Sequence, residues 1–150
     1  MRILPGVAVS LWLGAMAFFA FVAAPAAFAA LEREAAGRFV SAVFPRYYAM
    51  SVVLGLTVLG ACVARVVATG WRGRDWLPLS LATVMLLLTL HAWIVVLPAA
   101  HAARDAARQA GAGSVEAARF SRLHRVSSLL NGLVMIAGAM LLVTEVVRRP

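Results

Sequence analysis

Four long apolar runs, residues 3–31, 47–69, 77–100 and 126–147, alternate with three short polar connectors. A helix needs about 20 apolar residues to cross the hydrocarbon core of a bilayer, and each run meets that length. The pattern predicts an all-α integral membrane protein: one domain of four transmembrane helices in an up-down antiparallel bundle. In the first connector, 31–46, Glu32, Arg33, Glu34 and Arg38 alternate with Ala35, Ala36, Phe39, Val40 and Val43. That mixture predicts a short amphipathic helix lying in the headgroups, with Pro45 starting the second span at the first helical turn. The third connector, 102–119, predicts two more short interfacial helices around the break Gly111-Ala112-Gly113-Ser114, the second capped by Ser114. Between the second and third spans, Gly70 to Trp76 reads as a tight membrane-surface hairpin.

Helical periodicity assigns faces within the spans. Gly14, Phe18, Phe21, Pro25 and Phe28 recur at steps of three and four and predict an aromatic packing ridge, kinked at Pro25. Ser51, Gly55 and Cys62 share a face of the second span, where Gly60 and Ala64 form a small-xxx-small pair suited to close helix approach. Tyr47 and Tyr48 fit the aromatic belt at the start of that span. In the third span His91 lies on a face with Ser80, Leu87 and Pro98, and Pro98 is expected to kink or end the helix. In the fourth, His124, Ser128 and Asn131 form a stripe that Met135, Gly138 and Leu142 continue.

Composition supports the membrane reading. The chain is 63% hydrophobic, with a mean hydropathy of +0.91, against roughly 45–50% apolar content in soluble domains. Signal peptides have apolar regions of about 7–15 residues, so the first run is expected to stay as a span despite the cleavage-like Ala27-Phe28-Ala29. The net charge of +8 comes from arginines that flank apolar runs. Anionic lipid headgroups are therefore the expected partners, and nucleic acid is not. A homo-oligomer or a partner membrane protein is compatible with the composition. Four spans put both termini on one side. The compact hairpin with Arg72 and Arg74 and the basic ends with Arg2, Arg148 and Arg149 favour cytoplasmic termini in a bacterial inner membrane.

Few side chains could carry chemistry. An ionisable group deep in a span costs at least about 2.5–3.5 kcal/mol when charged, so His91 is expected neutral, turned inward and hydrogen-bonded. At 1.5 Å per residue it lies roughly 14 Å below the end of its span and Asn131 roughly 8 Å below the start of the next. Contact of His91 with Asn131 or Ser128 follows as an expectation, either as polar glue between helices or as a proton-relay or substrate site. No cofactor is expected, because His91 and His101 share one helix and the first two spans carry no histidine to complete a bis-histidine haem site. His101 and His124 are weak candidates for a shared surface metal. Cys62, Met85 and Met140 fall at one depth, and packing explains them better than a soft-metal site. Glu145 and Arg149 are spaced for a surface ion pair.

Two segments carry a family likeness. Phe44-Pro45-Arg46-Tyr47-Tyr48 and the spaced residues Phe120, Arg122, His124, Ser127, Ser128 and Asn131 resemble motifs of the transmembrane protein 205 family, whose opening segment is likewise rich in phenylalanine. Val43 stands where that family usually has leucine. The resemblance implies a four-helix membrane protein without assigned catalysis, whose animal relatives are associated with resistance to platinum drugs. A small scaffold or accessory subunit, rather than an enzyme, is the expected function. The alternatives are a transporter or channel component with its polar site at His91, Ser128 and Asn131, or a haem- or copper-linked redox protein.

Overall fold

The computed structural model describes residues 4–111 and 113–147, and every regular element among them is helical. The helices are α1 (Leu4–Phe18), α2 (Ala24–Ala30), α3 (Arg33–Thr69), α4 (Trp76–His91), α5 (Leu97–Ala110) and α6 (Val115–Val147). Single π turns, Phe19–Ala23 and Ala92–Val96, join α1 to α2 and α4 to α5 without a break. Among the described residues four helical stretches are thus long and apolar enough to cross a membrane: Leu4–Ala30, Arg33–Thr69, Gly73–Ala110 and Val115–Val147.

The π turns explain why two prolines do not end their helices. A proline inside a helix has no N–H to donate, and its ring collides with the carbonyl four residues back. The Ala24 N–H reaches back to the Phe19 oxygen just before Pro25, and the Leu97 N–H reaches back to the Ala92 oxygen just before Pro98. These five-residue steps widen the turn ahead of each ring, the usual origin of a π-bulge. Pro98 does not end its helix, one of its two expected effects, since α5 runs on to Ala110.

Pro45 likewise does not start a helix. It lies inside the 37-residue α3, which fuses the expected interfacial helix to the second span. One inward stripe crosses the proline, from Ala36 through Tyr47, Tyr48, Ser51, Gly55 and Val58 to Cys62, all buried. Packing on both sides of Pro45 thus holds one helix where local propensity favours two. The expected short helices of the third connector are likewise extensions of α5 and α6. The break comes at Gly111 and Gly113, whose positive φ of 87° and 92° ends the helical path. The Ser114 Oγ accepts the Ala117 N–H at 3.2 Å, the cap that the sequence predicts.

The core is built from small and aromatic groups. Trp12 is fully buried among Val9, Met16, Tyr48, Val58, Cys62, Met85, Val134 and Leu141. Close approach falls at Gly55, where an added Cβ would lie 3.0 Å from Trp12 Cη2, and at Gly138, 2.7 Å from Leu13 Cδ2. Gly60, the expected contact point, faces outward with open space around it. Of the expected aromatic ridge, Phe18 faces outward, whereas Phe21, Pro25 and Phe28 line an open space at the connector end, with Phe21 and Phe28 more than half exposed. Trp12 and Phe19 turn inward instead.

At the end near the termini, Glu145 is buried and both of its carboxylate oxygens accept Arg65 Nη1, at 3.0 and 2.8 Å. The expected surface partner, Arg149, lies outside the described residues. Contacts link α1 with α3 and α6, and α4 with α3 and α6. At the connector end the arrangement changes: α2 pairs with α3, α5 pairs with α6, and a space opens between the two pairs.

Candidate functional site

That space is a cavity of about 980 Å³ walled by all four helical stretches. Its size is at the upper end of the roughly 300–1,000 Å³ range of small-molecule pockets. Two walls rise to arginines, Tyr47 up to Arg33 and Val96 to Arg108, and the other two run from Met16 to Phe28 and from Met135 up to Phe120. At about 1.5 Å per residue every wall is roughly 18–22 Å long.

The floor is aromatic. Phe19 stacks on Tyr47 at 5.6 Å between centroids and meets Phe44 edge-on at 5.3 Å, while Phe44 stacks on Tyr48 at 5.9 Å. Both tyrosines are buried, 8% and 1% exposed, so they do not form an interfacial belt. Their hydroxyls have partners on α6, which is why burial is tolerable. Tyr47 Oη donates to Asn131 Oδ1 at 3.3 Å, Asn131 Nδ2 donates to the Ser127 carbonyl at 3.1 Å, and the Tyr48 and Ser127 hydroxyls lie 3.4 Å apart.

The mouth is basic. Arg33, Arg104 and Arg108 line it with a single carboxylate, Glu34. Glu34 pairs with Arg38 at 3.0 Å and with Arg108 at 3.7 Å. Arg104 crosses from α5 to α3, where Nη1 donates to the Gly37 carbonyl at 2.7 Å and to the Ser41 hydroxyl. Gly37 leaves room for the guanidinium, since a Cβ at position 37 would push the end of the Arg104 side chain aside. Among the described residues Arg33 has no carboxylate partner. Lower in the wall, His101 Nε2 is buried without a hydrogen-bond partner.

The predicted site residues separate into two groups. His124, Ser128 and Asn131 share the cavity wall with Phe44, Tyr47 and Phe120. The rings of Phe120 and His124 are 6.3 Å apart, and Ser128 Oγ donates back to the His124 carbonyl at 3.0 Å. His91 is not among them. It is exposed, and so are Ser80, Leu87 and Pro98, so that stripe exists but looks outward. The inward face of the same stretch belongs to Ala82, Met85, Thr89, Ala92 and Val96, centred roughly 140° away from His91 at 100° per residue. The expected His91 contact with Asn131 or Ser128 is therefore absent, and Asn131 bonds to Tyr47 instead. Arg122 and Pro45 are exposed and outside the cavity. Cys62 and Met85 are buried, whereas Met140 is half exposed, so the three sulfurs do not converge.

Sequence reasoning missed His101 and Arg104 as lining residues. The available signal was their one-turn spacing below Arg108, in a helix that does not end at Pro98.

A family model described as a domain of unknown function, DUF4149, matches residues 7–109. An uncharacterised protein from Aquifex aeolicus (strain VF5) is 37% identical over 95 residues, which make up 61% of this chain and 63% of that protein. The chain thus spans a little under two thirds of that relative's length. No solved structure matches.

Proposed function

We propose, for a chain that belongs to the DUF4149 family, the role of a small accessory membrane protein that holds an amphiphilic molecule in its connector-end cavity. In this reading the four helical stretches cross the membrane as an up-down antiparallel bundle, with both termini cytoplasmic in a bacterial inner membrane. The cavity then opens toward the opposite leaflet. The likeness to the transmembrane protein 205 family rests on Phe44 to Tyr48 and on Phe120 to Asn131, and the second of these lies beyond the matched residues 7–109. Both motifs contribute cavity walls, so the reading gives them a shared purpose.

The carrying observation is the gradient along the cavity, from an aromatic and methionine floor to an arginine mouth. Apolar walls with a few convergent polar groups are the usual chemistry of a ligand site. The outward exposure of many large apolar side chains, among them Val67, Val53, Ile94 and Leu129, fits helices surrounded by acyl chains.

Gly132 offers a direct test. It lines the cavity, and a Cβ there would meet nothing within 4 Å. Gly132→Phe is expected to fill the space without disturbing the fold, and to weaken binding of a fluorescent acyl probe by roughly tenfold or more, about 1.4 kcal/mol. Met140→Phe, on the outward face of the same helix, should leave binding unchanged. Equal binding by both variants and the parent would remove the cavity as the site.

A further inference from the structure

We infer that the occupant is an anionic glycerophospholipid taken from one leaflet, its phosphate held at the mouth by Arg33 and Arg108 and its acyl chain lying on the floor of Phe19, Tyr47 and Met135. This rests on the cavity reading above and adds the chemistry of the ligand.

Length is the first argument. A bilayer with its headgroup layers is about 40–45 Å thick, so one lipid with its head occupies about 20–22 Å. The four cavity walls, roughly 18–22 Å each by helical rise, match that length. The polarity gradient also has the right order. Arginines stand at the level of a headgroup, the His101 and His124 side chains come next, and aromatic rings and methionines lie at the level of the chains.

Charge is the second argument. The ionised lining side chains are Arg33, Arg104 and Arg108 against Glu34, so the mouth carries a surplus of positive charge. Glu34 is already compensated by Arg38 and Arg108. Arg104 is committed to Gly37 and Ser41, and Arg108 has two long contacts, to Glu34 at 3.7 Å and to Asp105 at 3.6 Å, which leaves Arg33 as the lining guanidinium without a carboxylate among the described residues and Arg108 as the most weakly held of the others. Guanidinium groups match phosphate oxygens in paired hydrogen bonds, and they remain charged at any physiological pH. A zwitterionic head would bring its own cation into the same mouth and lose part of this attraction.

The experiment uses the full chain in lipid nanodiscs or mild detergent, with native mass spectrometry counting bound lipid. Phosphatidylglycerol and phosphatidylcholine of identical chains are titrated separately, and glycerol 3-phosphate serves as the tail-less arm. Phosphatidylglycerol is expected to bind on the order of tenfold more tightly than phosphatidylcholine, given about 1 kcal/mol for each arginine at a membrane surface. The double variant Arg33→Gln/Arg108→Gln should erase that preference, while Arg122→Gln, exposed outside the cavity, should keep it. Glycerol 3-phosphate should not compete at equal concentration. Loss of preference in Arg122→Gln as large as in the double variant would overturn the assignment, because general surface charge would then explain it. Equal binding of the two lipids, or binding of glycerol 3-phosphate as tight as the lipid's, would also overturn it. If Gly132→Phe still blocks lipid uptake in that case, the headgroup assignment alone has failed. If Gly132→Phe has no effect, the cavity reading has failed with it.

Discussion

Arg65→Ala should destabilise the protein by about 3 kcal/mol, the low end of the range for breaking a buried ion pair. Glu145 is only 5% exposed, and its two oxygens share Arg65 Nη1, so the substitution leaves a buried carboxylate without its cation. The low end applies because the Arg65 side chain is 26% exposed and part of its desolvation cost is already avoided. Removing both charges has a different effect. In Arg65→Ala/Glu145→Leu the stranded Glu145 charge is gone, and most of the stability should return. Thermal or chaotrope unfolding of the purified protein reads both variants. A double variant as unstable as the single one would mean that lost packing, not the stranded charge, sets the cost.

Trp12→Ala is the second large effect, about 3–5 kcal/mol as for other buried tryptophans. The indole has no solvent exposure and covers Gly55, where even a methyl group would press on Cη2 at 3.0 Å and on Leu86 Cδ1 at 3.1 Å. Packing between helices in lipid depends mainly on such close contacts, since the surrounding acyl chains are as apolar as the side chains. The void left by the indole therefore forfeits dispersion contacts that surrounding groups recover only in part. Trp71 and Trp76, both about 60% exposed, provide the contrast. Their alanine variants should stay within about 0.5 kcal/mol of the parent in the same unfolding assay. A Trp12→Ala variant equally mild would show that α1 is not packed at Gly55 as described.

The contrast between Trp12 and the outward Phe18 shows what the sequence reveals and what it hides. Four long helices are legible because uninterrupted apolar runs of that length have few other solutions. Their ends are less legible. Nothing between Arg33 and Thr69 except Pro45 argues for a break, and the tertiary stripe on both sides of Pro45 overrides it. Rotation about each axis is the least legible feature. In a soluble helix the apolar side faces inward, but here both sides are apolar and periodicity cannot choose between them. For that reason Phe18 faces outward, Tyr47 and Tyr48 turn inward, and His91 stands opposite its expected partners. The polar stripe of α6 is different. His124, Ser128 and Asn131 stand out against an apolar helix, and their position on the cavity wall follows their spacing. His101 and Arg104 stayed hidden because Pro98 suggests that the helix stops short of them, and the π turn that lets it continue leaves no simple mark in sequence.

The central claim is that a lipid chain lies inside the cavity and not merely around the helices. Photolabelling tests this most directly, using a phosphatidylglycerol with a diazirine near the end of one acyl chain and mapping the adducts by peptide mass spectrometry. The account predicts adducts on the cavity floor, at Met16, Phe19 and Met135, and their loss in Gly132→Phe. Adducts confined to outward residues such as Leu129, Leu133 and Ile136, unchanged by Gly132→Phe, would contradict it.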